Sequence, residues 1–467
     1  MPSQFDAAWK DQNAVASRAV QRRLKAGEKD DGPRGTSNEL TRRHSPGVPG
    51  VLPQDHNDYA LTFFFNSYLL LSLASKPLGG YLDCIYPVWT QSSPESPLRP
   101  AITAVAMSLL EAWSWMNPNS PQSLARPHYV RGIAALRRHL QNGGDVDDDI
   151  LMATLMLDMY DGITSFCGAR SHTGVHLIGS AALIEKRQRR PFNGEASHKI
   201  ISGIRSMIVG RALRNQESVS SDALTRTSNA QNIPRTPQYE LEEIQFEVAN
   251  LLASASALET TPVNRPSLAS EILAKAHGLD QRLLDWTAAM PPDWKPTSCD
   301  AESVPRTIRD AGLYHDRCDI YPSIFTATTL TSHASSRINL QLTILACLPH
   351  LPTRAAHPFL SSAQEQQRTA RATVQRLADT ICASVPFYLG DRASVLRIDD
   401  QTIRYPRVGS GATPVEHYRT AAAYGGMFLM QRLPQLLALP LREGQREWVL
   451  GQMGRVKRVY LAREGGF

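Results

Sequence analysis

Four residues in the later part of the chain have side chains that suit proton transfer. His315 and Asp316 are adjacent, and Tyr321 follows shortly after, with Asp319 between them. An imidazole beside carboxylates and a phenol is a set that general acid and base catalysis uses. The same residues are also typical of a hydrogen-bonded helix start. If the chain is an enzyme, we expect His315, Asp316, Tyr321 and Tyr388 to act in catalysis; otherwise the sequence predicts no catalytic residue.

Histidines, aspartates and cysteines provide little support for a metal site. His172 and His176 are four residues apart and would share one face of a helix, yet no Asp, Glu or Cys completes a ligand set near them. The four aspartates between positions 145 and 149 are better explained as the cap and dipole partners of the next helix. The six cysteines are spaced by 83, 132, 19, 29 and 35 residues, with no Cys-x-x-Cys pair. The sequence therefore predicts no metal and no cofactor.

Length and composition are those of an ordinary globular protein. Of the 467 residues, 42% are hydrophobic and 20% are charged, which excludes a disordered, collagen-like or disulfide-scaffold chain. Phosphate-binding Gly-rich loops, dinucleotide fingerprints, nucleophile elbows and His-Glu-x-x-His helices are all absent from the sequence. No apolar run reaches the roughly 20 residues of a spanning helix, and no secretory signal is recognisable. We expect a soluble intracellular protein with no membrane partner.

The first 56 residues form a basic arm. Residues 1–50 carry nine basic and six acidic residues, which gives half of the chain's net charge of +6. This segment has few aromatic residues and ends in a run rich in Pro and Gly, so we expect it to be flexible. Arg22, Arg23 and Lys25 form a short basic cluster that suits nuclear import or phosphate contacts. The arm predicts at most weak, non-specific binding to nucleic acid.

From residue 57 to residue 467 the hydrophobic period is that of helices. Apolar residues recur at i, i+3, i+4 and i+7, and breakers such as Asn142-Gly143-Gly144 and Pro291-Pro292 separate the segments. We expect Pro386 to end one helix. The sequence predicts one large all-α domain with helices over 128–140, 148–160, 175–184, 200–213, 241–258, 268–290, 319–348 and 370–385, and a last one from about 442.

The order of these segments resembles the regulatory domain of fungal zinc-cluster transcription factors. The similarity covers about residues 57–463, and the punctuation Pro291-Pro292-Asp293-Trp294 and Ser384-Val385-Pro386-Phe387 makes the combination more specific than any single block. The blocks that carry it are 57–65, 94–102, 148–160, 176–184, 207–213, 284–296, 319–322, 381–390 and 445–453.

The resemblance implies a helical regulatory domain with no catalytic residues and no metal ligands. Full-length members of that family carry six cysteines that hold two zinc ions before this domain, whereas the first cysteine here is Cys84. We therefore expect a regulator of fungal metabolic genes, with secondary-metabolite genes as one candidate set, that lacks its own zinc-cluster DNA reader. Its expected partners are other regulators or coactivators, a small-molecule effector, or a second copy of the chain. The nucleus is the expected location, with the cytoplasm as the alternative.

A second hypothesis belongs to a different class of protein. A hydrophobic cleft among helices can orient an organic substrate for a cyclisation, isomerisation or dehydration with a positioned acid or base. The four proton-transfer candidates named above would serve this co-opted, cofactor-independent enzyme of a biosynthetic pathway. A pocket that joins several of them would favour the enzyme over the regulator.

Overall fold

The fold was obtained as a computed structural model. It describes residues 56–65, 80–113, 123–167, 172–187, 194–219, 235–256, 258, 265–300, 302, 313–314, 317–351, 359–389, 425–426, 428–430 and 432–461. The basic arm before His56, with Arg22, Arg23 and Lys25, lies outside these residues, and so do His315 and Asp316.

The described part of the chain is all-α, as predicted. Short 3-10 turns at Tyr81–Cys84, Pro292–Trp294 and Leu348–His350 accompany the helices. The helices are α1 (His56–Phe64), α2 (Ile85–Gln91), α3 (Leu98–Trp113), α4 (Ala125–Gln141), α5 (Asp148–Cys167), α6 (Val175–Arg187), α7 (Glu195–Asn215), α8 (Pro237–Ser256), α9 (Arg265–Ala288), α10 (Ile324–Cys347), α11 (Phe359–Tyr388) and α12 (Gln445–Leu461).

Helix α5 is the central helix of the first half of the fold. It is apolar around most of its circumference, and α3, α4 and α6 pack against it. Its first turn is acidic and is held from three sides: Asp149 accepts a hydrogen bond from Ser96, and Asp148 accepts from Arg187 and Ser197. These two aspartates of the first turn are therefore structural anchors at the positive end of a buried helix.

The turn between α4 and α5 depends on two glycines. Gly143 has a φ of 74°, a left-handed conformation that favours glycine. A Cβ atom on Gly144 would lie 2.4 Å from Nε2 of His139, an atom that is hydrogen-bonded to the carbonyl oxygen of Asp145. The Asn142-Gly143-Gly144 breaker thus closes α4 and turns the chain into α5.

The predicted helix over 319–348 begins later than expected. Residues Arg317–Ile320 form a strand, β2, that pairs antiparallel with β1 (Thr297–Asp300), and α10 starts only at Ile324. The helix begins there because Ser323 accepts a hydrogen bond from the backbone N–H of Thr326 and caps it. The apolar pattern from 319 to 323 therefore belongs to a buried strand and a cap.

The prediction that Pro386 ends a helix was wrong by one turn. Helix α11 continues through Pro386 to Tyr388, and Leu389 still donates its backbone N–H to the carbonyl oxygen of Val385. Proline removes one helical hydrogen bond and crowds the preceding turn, and that cost is smallest near a C-terminus, where few turns follow. The buried side chains of Phe387 and Tyr388 hold this last turn in the core.

Two hydrophobic cores meet along α10. The first is built mainly from α1, α3, α5 and the later half of α11, and the second from α7, α8 and α9. The N-terminal half of α10 contributes Ile324 and Ala327 to the first core, while its C-terminal half contributes Ile344 and Cys347 to the second. No helix in the described part of the chain is long and apolar enough to cross a membrane.

Candidate functional site

Of the four residues proposed for an enzyme, the described part of the chain contains Tyr321 and Tyr388. Both are 1% exposed, and both rings contact Phe387, with centroid distances of 5.3 Å and 6.2 Å. The Tyr388 hydroxyl lies 3.0 Å from Thr331 Oγ1 and 3.4 Å from Thr328 Oγ1. Burial raises the pKa of both phenols, so they stay protonated at neutral pH. Their described contacts are those of core side chains.

Asp319 is a buried anchor of the small sheet. Its Oδ1 atom accepts hydrogen bonds from Arg317 Nε at 2.9 Å and from Ser298 Oγ at 2.5 Å, while Oδ2 accepts from Arg317 Nη2 at 2.7 Å. The hydrogen bond from Ser298 joins β1 to β2, so the described contacts of Asp319 are those of a structural anchor. The sequence predicts that Asp319 lies at the start of a helix. The structure instead places it in β2, which pairs with β1.

A polar cluster lies between α4, α5 and α6, where the sequence predicted only packing. We call it the histidine–carboxylate cluster; its residues are Tyr129, Asp158, Asp161, His172 and His176. Asp158 is 2% exposed, and its Oδ1 atom lies 3.1 Å from His172 Nε2. Asp161 Oδ2 lies 3.5 Å from His176 Nε2, which is also 2.9 Å from the Tyr129 hydroxyl.

Local structure explains how His172 and His176 both contact helix α5. Asp158 and Asp161 are three residues apart on α5 and share a face. Helix α6 begins only at Val175, so His172 precedes it and the two histidines do not share a helix face, contrary to the sequence interpretation. Gly174, with a φ of 65°, makes the turn, and Arg211 Nη1 holds it through the Thr173 carbonyl oxygen at 2.7 Å.

The electrostatics bring two pKa values in the cluster closer together. Burial raises the pKa of the Asp161 carboxyl group, although the hydrogen bond from Tyr129 and the neighbouring histidines oppose the rise. Burial lowers the pKa of His176, although Asp161 and Asp158 oppose this change. Moving a proton from His176 to Asp161 therefore costs less free energy than it does between the free side chains.

Sequence analysis missed this cluster because its carboxylates come from another helix. The partners of His172 and His176 are not their neighbours in the sequence, because Asp158 and Asp161 lie on α5. The available signal was two carboxylates three residues apart in a helix that is otherwise apolar, since buried charges need partners. Among the described residues, no group of three or more His, Cys, Asp or Glu side chains is arranged to hold a metal ion.

A second polar network joins α7 to α8. The fully buried Arg205 has its Nε atom 3.2 Å from Glu242 Oε2, forms an ion pair with Glu243, and lies over the Tyr239 ring at 4.2 Å. Burial raises the pKa of Glu242 to about 7, even though Ser206, Arg205 and Gln238 stabilise its charged form. This network fixes the packing of α8 on α7.

Comparison with known families identifies the domain that contains the cluster. Residues 59–227 match the fungal specific transcription factor domain. No curated protein and no solved structure matches the chain. The match runs from α1 to beyond α7, so all five residues of the histidine–carboxylate cluster lie within it. This part of the chain is similar to a domain of fungal transcription regulators, as the order of the sequence blocks up to residue 213 predicted.

Proposed function

We propose that this chain is a nuclear fungal transcription regulator that controls metabolic genes, and that its helical domain is the sensing part. The observation that carries the proposal is the histidine–carboxylate cluster inside the transcription factor domain. A buried Asp–His contact adds little net stability over well-packed apolar residues, because desolvation offsets the attraction of the charges. Clusters of perturbed titratable groups are instead concentrated at functional sites.

The mechanism we propose is a shift between two packings of α4, α5 and α6. Tyr129, the Asp158–Asp161 pair and His176 each come from a different one of these helices. A small-molecule effector or a partner protein that binds one packing more tightly changes the surface that the domain presents. Only that difference in affinity drives the change. By linkage, the effector changes the affinity for the partner by the same factor as the partner changes the affinity for the effector.

The partners we propose are other transcription regulators or coactivators, together with a small polar effector. The effector would exchange hydrogen bonds or charge with Asp161 and His176, because an imidazole is the side chain whose charge changes most readily near neutral pH. The basic arm with Arg22, Arg23 and Lys25 would direct the chain to the nucleus.

The test is a comparison of transcripts with and without the gene. Deleting the gene should change the transcript levels of a defined set of metabolic genes, and constant expression of those genes from another promoter should restore any missing metabolite. Transcript levels indistinguishable from the parent strain, together with a substrate that accumulates and is converted by the purified chain, would contradict the proposal and support the enzyme instead. Within the described residues, the enclosed positions of Tyr321 and Tyr388 give that alternative no support.

A further inference from the structure

Helix α4 presents a surface that the packing of the described residues does not use. It contains no acidic residue along its whole length, and it carries four arginines, Arg126, Arg131, Arg137 and Arg138, all of them exposed. The ion pairs found among the described residues do not include any of the four. The opposite side of α4 packs against α3 and α5. The helix therefore has one buried face and one exposed face of strongly basic character.

The exposed face has a small apolar centre surrounded by arginines. Val130, which is 55% exposed, and the exposed Ala134 are four residues apart and lie on one row of the helix surface. Arg126 and Arg138 continue that row at its two ends, and Arg131 and Arg137 lie on its two sides. Guanidinium groups thus surround an apolar pair of side chains. We call this surface the arginine face of α4.

This arrangement selects among the partners that a basic surface can bind. A nucleic acid uses basic side chains to contact phosphates, and exposed aliphatic groups between them contribute little to that contact. An acidic amphipathic segment uses both features, since its aliphatic side chains cover Val130 and Ala134 while its carboxylates meet arginines on both sides. Arginine is also enriched in protein interfaces because its planar group pairs with a carboxylate through two hydrogen bonds.

We propose that the arginine face of α4 is the docking surface for an acidic, aliphatic-rich amphipathic segment of a partner protein. The inference rests on the proposed function and extends it by naming the chemistry of the partner. A helix of 17 residues is about 25 Å long, so a bound segment of about 15 residues matches its length. The surface adjoins the histidine–carboxylate cluster, because Tyr129 of α4 contacts His176 of α6. A change in the cluster would therefore alter how α4 is presented to the partner.

The experiment measures binding of a synthetic peptide to the full chain by fluorescence anisotropy. The probe is a labelled peptide of about 15 residues with leucines on one helical face and glutamates on both sides of it. A second probe has serine in place of every leucine and keeps the same charge. A third is a labelled duplex DNA. The variants are R131E/R138E, R131Q/R138Q and V130D, and the control R368E/R371E makes the same change of charge on the exposed side of α11.

The leucine peptide should bind the parent chain, and R131E/R138E should weaken it by at least about tenfold. R131Q/R138Q should have a smaller effect in the same direction, V130D should weaken binding at least about fivefold, and R368E/R371E should change it less than about twofold. Circular dichroism spectra that match the parent's establish that each variant is folded.

Three results would overturn the docking surface. One is equal binding of the leucine and serine peptides, which would indicate a general attraction of anions. Another is an equal loss of affinity in the α11 control, and the third is tighter, arginine-dependent binding of the DNA. Because the measurement uses purified components, it can fail while gene deletion still changes transcripts, so the two proposals are tested separately.

Discussion

Two histidines in different regions of the fold, the buried His333 and the half-buried His176, have opposite surroundings. His333 on α10 is held by neutral groups: its Nε2 atom lies 3.0 Å from the Leu283 carbonyl oxygen and 3.0 Å from Thr287 Oγ1, and its ring stacks on Trp286. His176 lies beside Asp161, a carboxyl group that titrates with it. The first arrangement fixes one neutral form of the ring. The second brings the proton affinities of the two side chains closer together, because burial lowers the pKa of His176 and raises the pKa of Asp161.

The same contrast holds for the aspartates of the two regions. Asp280 on α9 receives two hydrogen bonds from Arg337, at 2.7 and 3.0 Å, and one from Gln341 at 2.9 Å. Asp161 is near two histidines and a phenol, and burial raises its pKa. In the α9–α10 region, an ion pair therefore holds two helices together. In the α4–α6 region, the pKa values of a carboxyl group and an imidazole are shifted towards each other.

The largest loss of stability should come from breaking the Asp280–Arg337 pair. In D280A the guanidinium group of Arg337, which is 7% exposed, remains buried without its carboxylate. We expect the free energy of unfolding to fall by about 3 to 5 kcal/mol, as measured by urea denaturation. A loss below about 1 kcal/mol would show that this region is not held by charge.

The stability contribution of His333 should depend on pH in a defined window. Burial lowers the pKa of His333 to about 4, whereas the unfolded chain has an ordinary histidine pKa near 6.5. Below pH 6.5 the unfolded state binds a proton that the folded state does not, so the free energy of unfolding falls as the pH decreases towards 4. The loss should total about 2 to 3 kcal/mol, since each pKa unit corresponds to about 1.4 kcal/mol.

Replacement of His333 by Gln isolates this effect, because Gln keeps a donor for the Leu283 carbonyl oxygen but does not titrate. Urea denaturation of parent and H333Q at pH 7 and pH 4.5 gives the comparison. The difference in stability between the two proteins should shrink at pH 4.5. An unchanged difference would mean that His333 is not held neutral by its surroundings.

Asp161 should behave in the opposite way to Asp280. Its pKa is raised in the folded state, so the folded state binds this proton more tightly than the unfolded state does. Its contribution to stability is therefore present at low pH and is lost as the pH rises above the ordinary aspartate value. We expect D161N to raise the free energy of unfolding at pH 7 and to change it less at pH 4. A loss of several kcal/mol at pH 7 would remove the contrast between the two regions.

The smallest effect should come from an exposed ion pair on the helix that carries Asp280. Arg282 Nη1 lies 2.7 Å from Glu247 Oε2, and both side chains are close to half exposed. Solvent and salt screen such a pair, so E247Q should cost about 0.5 kcal/mol or less and the effect should vanish in high salt. A loss as large as that of D280A would show that burial does not separate the two pairs.

The fold was predictable from sequence wherever one helix determines its own pattern. The run Asp148–Tyr160 is apolar after an acidic turn, and it forms most of α5. The segment around Asp319 was assigned to a helix because a short strand and the first turn of a helix can have the same residue types. Pairing with β1 shows that it is a strand. Pro386 shows that buried neighbours outweigh a local breaker near a helix end.

The site was less predictable because its residues meet only in three dimensions. Asp158 lies on α5, His172 lies beyond the end of that helix, and no periodicity indicates that they make contact. Asp161 and His176 are likewise brought together by the packing of α6 on α5. A family match supplies the setting of these residues and says nothing about their protonation.

The most direct test of the sensing role is the transcript response of cells that express variants of the histidine–carboxylate cluster. D161N/H176Q removes the titrating pair, and T154V/S180A is the matched control, because Thr154 and Ser180 join the same two helices through an uncharged, buried hydrogen bond of 2.6 Å. The gene set is defined by deletion, and immunoblots confirm equal protein levels. We expect D161N/H176Q to hold the transcript levels of this gene set constant under all growth conditions. In T154V/S180A these levels should respond as they do in the parent. A normal response in D161N/H176Q would contradict the claim that the histidine–carboxylate cluster is the sensing element.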